Sequence, residues 1–406
     1  MSDTAPLVTG IGLVSPAGIG VDRNWQRITE AVPATAHDPV LAGLPVDISC
    51  RVPEFDPDAL LGQHRAWRLD RYAQLALVAA KEALETAGII PGEVDPARVA
   101  VVLGTGAGGT TTMENQQTAL TRDGAGAVSP RTLPMGLPNM ASGEIAIEFG
   151  FRGPVLTTST ACASGATAIG VARDLLRSGT VDLALAGGTE AVITPLFVTG
   201  FHRIRALSRH IHEPREASRP FSVGRDGFVI GEGAGMLVLE RSEHARGRDA
   251  PRWAHLAGYG ATADAHHPTA PAPDGAGAEA AMRAALTDAD IAGADISHVN
   301  AHGTSTRLND AIEADVVQRV LGDEALVTST KGVTGHTLGA AGALEAAYTA
   351  LALQHGTVPP TANLTEPDPE IGTELATTAR SASGRAALSN SFGFGGHNTA
   401  LVLTCP

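Results

Sequence analysis

Short apolar runs that end in glycine recur along this chain, and alanine-rich stretches with helical periodicity lie between them. "RVAVVLGTG" at 98–106 reads as a buried strand running into a glycine turn. "LDRYAQLALVAAKEALETAG" at 69–88 reads as a helix that stops at Gly88. "DLALAGGTEA" at 182–191 and "GAGMLVLERSEHA" at 233–245 are again strand-like with glycine exits. This alternation predicts an α/β fold with mainly parallel or mixed sheets covered by helices. At 406 residues the chain exceeds what one core usually serves, which predicts two lobes or an internal duplication. The polar, Arg-rich "RSEHARGRDAPRWA" at 241–254 interrupts the pattern, and "HLAGYGATADAHH" restarts it. We place the lobe boundary near residue 250, giving halves 1–250 and 251–406.

Composition narrows the class. Apolar residues make up 43% of the chain and charged ones 18%, which suits a large core and argues against disorder. A net charge of −14 argues against nucleic-acid binding across the whole surface. Cys50, Cys162 and Cys405 have no C-x-x-C spacing, so neither a disulfide framework nor a zinc motif is expected. "MSDTAPLVTGIGLVSPAG" lacks a basic region followed by a long apolar run, unlike a signal peptide. No apolar run reaches the length of a membrane span, about 18 residues. These features predict a soluble cytoplasmic protein with reduced thiols and no membrane partner.

Four segments carry candidate chemistry. In "TTSTACASGATAIG" (157–170), Cys162 stands at a strand-to-helix turn among small residues. A helix N-terminus favours thiolate, and its N–H groups suit an oxyanion. A buried structural cysteine is the alternative. In "VNAHGTSTRLNDAIEAD" (299–315), His302 follows a strand-like run, where α/β folds place their sites. A satisfied core histidine is equally open. In "STKGVTGHTLGAAGALEAAYTALAL" (329–353), Lys331 and His336 precede a small-residue helix, and Glu345 within that helix is a candidate partner for one of them. In "LSNSFGFGGHNTALVL" (388–403), a glycine-rich turn suits close approach of backbone to a ligand, or a plain hairpin.

In this order the four segments resemble the β-ketoacyl-acyl-carrier-protein synthases, condensing enzymes of the thiolase superfamily. "VTGIGLVSPAG", "ASRPFSVGRDGFVIGEGAGMLVLE" and "AHHPTAPAPDG" extend the resemblance nearly end to end. It implies a thiolase-like, duplicated five-layer αβαβα fold. It also implies decarboxylative Claisen condensation of an acyl thioester with malonyl on a carrier protein, in type II fatty-acid or polyketide synthesis. Cys162 would hold the acyl group. His302 and His336 would serve the malonyl thioester, with Lys331 and Glu345 setting their charge and geometry. The N–H groups of Cys162 and Phe394 would form the oxyanion hole, with Phe394 as gate. Thr304, Thr306 and Thr269 would bind pantetheine amides. No metal or soluble cofactor is implied. Expected partners are an acyl carrier protein and a second ketosynthase-like subunit, identical or not. The strand "DLALAGG" (182–188) would pair across the two-fold axis, next to a crossing segment at 133–143. Arg65, Arg68, Arg203, Arg205 and Arg209 would meet the acidic carrier. A non-catalytic chain-length-factor-like subunit is the alternative, but such subunits typically lack the nucleophile. A degradative thiolase would need a second catalytic cysteine, and Cys405 lies in no glycine-rich motif.

Two residues depart from the family pattern, the first near the tunnel mouth. Arg307 follows "HGTST" where proline is common, and Gly332 follows the lysine where serine is frequent. "GTGAGG" at 104–109 matches G-x-G-x-x-G, yet no second strand with a ribose-binding acid follows. His266 and His267, and the His210/His212 pair, lack partners at metal-ligand spacing and read as loop histidines.

Overall fold

The computed structural model describes residues 5–381 and 384–406. Met1–Thr4, which open the segment tested for a leader, lie outside them. Ten strands and six long helices carry the architecture, in two matching sets.

The first set runs β1 (Leu7–Ser15), α1 (Arg71–Ala87), β2 (Val99–Gly104), α2 (Met140–Phe149), β3 (Val155–Thr158), α3 (Ser164–Arg177), β4 (Leu183–Glu190) and β5 (Gly233–Glu240). The second runs β6 (Ala254–Ala263), α4 (Ala276–Ala289), β7 (Ile296–Asn300), α5 (Arg307–Leu321), β8 (Leu326–Thr328), α6 (Ala341–His355), β9 (Ala386–Gly393) and β10 (His397–Thr404). Strand order is β3-β2-β4-β5-β1 in the first set and β8-β7-β9-β10-β6 in the second. The pairing sense repeats as well. The second strand of each set is parallel to its two neighbours, and the remaining pairs are antiparallel. The sheets are therefore mixed. They join edge to edge through a short seam, Leu7 with His255 and Val8 with Ala254.

Five layers result. Helix α1 packs outside the first sheet and α4 outside the second, while α3 and α6 lie together between the sheets. Asp70 caps α1 by accepting from Tyr72 N, and Gly88 ends it in the left-handed conformation. The central helices touch through glycine. A methyl at Gly165 would come within 2.9 Å of Ala343 N, and one at Gly342 within 2.8 Å of Ala166 N. This closeness brings the N-termini of α3 and α6 to one place.

One expectation is corrected. Strand 183–190 cannot pair with a second subunit, because β2 and β5 take both its edges. The free edge of the first sheet is β3, where Val155 and Leu156 are exposed. Among the described residues no helix is long and apolar enough to cross a membrane.

Candidate active site

Cys162 lies in a single 3-10 turn, Ala161–Ala163, between β3 and α3. Ala161 takes φ 50°, a conformation an L-residue adopts only when its surroundings hold it. Ser164 does this, donating to Ala161 O at 2.6 Å and accepting from Thr160 N at 2.9 Å. The thiol is 8% exposed. Burial pushes its pKa up to about 12, while Lys331 and the N–H of Phe394, which hydrogen-bonds the sulfur, pull it down. Desolvation is the largest of these influences, and it opposes the thiolate that a helix N-terminus favours.

The Phe394 turn joins β9 to β10, with Gly393 opposite His397. It is a hairpin turn, and its Phe394 N–H reaches the cysteine sulfur. Gly393 has no room for a side chain, since a methyl there would lie 2.4 Å from Thr160 O. Asp264 and Asn398 (2.7 Å apart) steady the next glycines, with Asp264 N donating to Gly396 O. Phe394 lies tilted at 52° to Phe201 with centroids 6.3 Å apart, and Phe201 meets Phe228 edge-on at 5.3 Å.

His302 and His336 face each other edge to face, ring centroids 5.3 Å apart. His302 sits just past β7, where Glu313 of α5 accepts the N–H groups of His302 and Gly303, each at 2.8 Å. His336 packs edge-on against Phe228 at 5.2 Å. Neither imidazole donates or accepts a hydrogen bond within the described chain, so their nitrogens are available to a ligand. Burial lowers both pKa values well below the usual 6.5, and the Lys331 cation adds to this in each case. At neutral pH both rings are neutral, each with one N–H to give.

Lys331 opens a short helix, Lys331–Thr334, and its ammonium bonds the carboxylate of Glu345 on α6. Both side chains are buried. Burial pushes Glu345 up to about 7 against the pull of Lys331.

Cys162, His302, His336, Phe394, Thr304, Thr306 and Thr269 line one cavity of about 420 Å³. Lys331 and Glu345 stand behind the histidines rather than in its wall. Thr304 and Thr306 lie hydroxyl to hydroxyl at 2.9 Å. Arg205 also lines the cavity and is exposed, as are Arg203 and Arg209. Arg65 and Arg68 are elsewhere. Arg65 pairs with Glu144 and Glu148 of α2, and Arg68 bonds His64 and lies 5.4 Å from the Trp67 ring centroid. Of the five arginines only Arg205 lines the cavity.

Two buried acids that hold loops of the site escaped the sequence reading. Glu313 was one. Glu190, at the end of β4, accepts from Gly106 N, Ala107 N, Gly339 N and the Thr105 hydroxyl. The "GTGAGG" amides that a phosphate would need are thus already taken. No local signal marks them, since Glu190 ends a strand-like run and Glu313 lies in an ordinary helical stretch. His266 and His267 are exposed, and His267 accepts from Thr269 N and Ala270 N within its own loop.

Comparison with known proteins decides the family. Residues 7–245 match the beta-ketoacyl synthase N-terminal domain, and residues 253–365 match the C-terminal domain. The chain belongs to the β-ketoacyl synthase family. Among curated relatives, the 3-oxoacyl-acyl-carrier-protein synthase 2 of Synechocystis is 42% identical, over 98% of this chain and 97% of that one. The enzyme of the same name from Vibrio harveyi is 41% identical, over 99% of each chain. Among solved structures, a β-ketoacyl synthase from Burkholderia phymatum superposes with TM-score 0.93 at 32% identity, covering 99% of this chain and all of that one. A ketosynthase solved with its type II polyketide acyl-carrier protein gives 0.92 at 31% identity, over 99% of each. The ishigamide ketosynthase/chain length factor gives 0.91 at 33%, over 99% of each. As a β-ketoacyl synthase the chain is an enzyme of the acyltransferase class, with the thiolase-like fold of these neighbours.

Proposed function

We propose that this β-ketoacyl synthase condenses an acyl thioester with malonyl on a carrier protein, and that Cys162 holds the acyl group. The observation that carries the reading is the meeting of a buried thiol and two neutral, unpartnered imidazoles in one cavity. In the first step the Cys162 sulfur attacks the acyl carbonyl, and the carrier's pantetheine thiol departs with the proton. The N–H of Phe394, with that of Cys162, faces the developing oxyanion. In the second step malonyl thioester binds with its carbonyl oxygen between His302 and His336. Carbon dioxide leaves, and the two N–H groups stabilise the enolate. The enolate carbon then attacks the acyl carbonyl, the carbon–sulfur bond breaks, and the departing Cys162 thiolate takes up a proton from water. Lys331, fixed by Glu345, keeps the imidazoles neutral so that they donate rather than become acids. Thr304, Thr306 and Thr269 bind the amides of the arm.

We assign division near residue 250 to the two halves, and work in the cytoplasm with substrates that arrive on a carrier's phosphopantetheine. Arg203 and Arg209 meet the acidic surface of the carrier, and Arg205, which lines the cavity, meets the carrier where its arm enters. Arg65 and Arg68 join them from a second subunit. That subunit, identical or chain-length-factor-like, pairs along β3. The exposed Ile147, Leu133 and Leu137 extend this apolar face.

The test is incubation with malonyl-loaded carrier and a panel of acyl carriers, with mass spectrometry of the products. The reading expects a β-ketoacyl product two carbons longer than the acyl donor. An enzyme that neither acylates nor condenses is the non-catalytic alternative.

A further inference from the structure

We propose that Arg307 and Arg205 form a clasp for the phosphate of the pantetheine arm at the cavity mouth. The inference rests on the ketosynthase reading above and deepens it, because it gives the phosphate a site remote from the reacting atoms.

Both arginines line the cavity that ends at Cys162, and both are exposed. They come from different segments, Arg205 just beyond the helix Pro195–Arg203 and Arg307 at the first position of α5. Arg307 is tethered without being neutralised. Its Nε donates to Arg225 O at 3.4 Å, and its own carbonyl accepts from the Arg225 guanidinium at 3.3 Å. Arg225 is buried and held by Asp368 at 2.7 Å. Asp368 also feels the charge of Arg307, but Arg225 already occupies it. Among the described residues neither Arg205 nor Arg307 is in an ion pair.

The acids that line the same cavity are engaged inward. Asp226 accepts from the Ser208 hydroxyl at 2.6 Å and from Arg209 N at 2.9 Å. Asp264 accepts from Asn398 and from Ala272 N. Glu313 is spent on the His302 loop. In a chain of net charge −14, two unpaired guanidinium groups therefore face an opening rimmed by the exposed Ile204 and Leu308. Guanidinium forks match phosphate oxygens in geometry and charge. The threonine hydroxyls and the cysteine line the same cavity as these arginines, so phosphate, amides and thioester of one arm each find a matching group there. A carboxylate on the carrier surface is the rival ligand. The position of both arginines in the cavity lining, rather than on an open face, favours the arm.

The experiment measures acylation of Cys162 from three thioesters of one acyl group, carried on pantetheine, phosphopantetheine and the holo carrier. Wild type should prefer phosphopantetheine over pantetheine. Arg307→Ala should lower that preference about tenfold, the scale of one charge-assisted hydrogen bond. Arg307→Lys should recover most of it. An unchanged preference in Arg307→Ala overturns the clasp. So does a loss confined to the carrier-borne substrate, which would mean a carrier carboxylate. A wild type that acylates Cys162 from none of the three overturns the ketosynthase reading itself.

Discussion

The two halves share a scaffold yet carry different chemistry at matching positions. Register makes the match explicit. Gly104 of β2 pairs with Thr158 of β3 as Asn300 of β7 pairs with Thr328 of β8. Two residues beyond, the first half has Gly106 and the second has His302. Each is held in the same way, its N–H and the next one accepted by a buried glutamate, Glu190 or Glu313. The central helices match as well. Each is entered by a 3-10 turn that starts with a left-handed residue, Ala161 at φ 50° and Leu338 at φ 49°. The next residue is Cys162 in the first half and Gly339 in the second.

The difference teaches how a duplicated fold builds one site instead of two. Each half fills one of the two positions with a reactive side chain and the other with glycine. The glycines are needed for closeness. A methyl at Gly339 would meet Gly106 N and a Glu190 oxygen, each at 2.5 Å, and one at Gly106 would meet that oxygen at 2.8 Å. The first half is thereby packed shut where the second is open, and the nucleophile and histidines converge on a single cavity.

The comparison can be broken in four ways. Cys162→Ala should abolish the acyl adduct seen by intact-protein mass spectrometry, with the circular dichroism and melting profile retained. An adduct on Cys50 or Cys405 would place the nucleophile wrongly. His336→Ala should slow release of labelled CO2 from malonyl by about 100- to 1,000-fold, the usual cost of one oxyanion donor. A variant within threefold of wild type would remove that histidine from the second half's share. Because burial raises the Cys162 pKa to about 12, its thiolate fraction climbs as pH rises toward that value. Alkylation of Cys162 by iodoacetamide, followed by peptide mapping, should speed up about tenfold per pH unit from 7 to 9. A plateau in that range would mean a thiolate already formed at rest. Gly339→Ala should cost about 1–3 kcal/mol of stability through overpacking, read as a lower melting temperature. An unshifted melt would show that the glycine is not needed for closeness.

The sequence was informative where chemistry is local and silent where it depends on assembly of distant elements. Cys162, His302, Lys331, His336 and Phe394 stand in short segments whose residue types resist a packing explanation. The alternation of runs foretold the repeated set of strands. Strand order was another matter. Residues 183–190 read as an excellent strand, but nothing in them says that both edges are occupied. That follows from β2 and β5, which lie far away in the chain. Glu190 and Glu313 look like ordinary acids until the fold buries them against backbone N–H groups. The arginines at 65 and 68 share composition with those at 203, 205 and 209, yet α2 takes up the charge of Arg65. The upward pull on the Cys162 thiol is likewise invisible in the sequence, since desolvation needs the assembled pocket walls.

The central claim is a division of labour, with the acyl group held by the first half and malonyl activated by the second. His302→Ala tests it most directly when both readouts come from one sample. The variant is given an acyl carrier and malonyl carrier labelled in the free carboxyl, then followed by adduct mapping and CO2 release. The account predicts an acyl group on Cys162 at near wild-type occupancy, with CO2 release lowered at least about 100-fold. Release at the wild-type rate, or loss of the acyl adduct together with release, would contradict it.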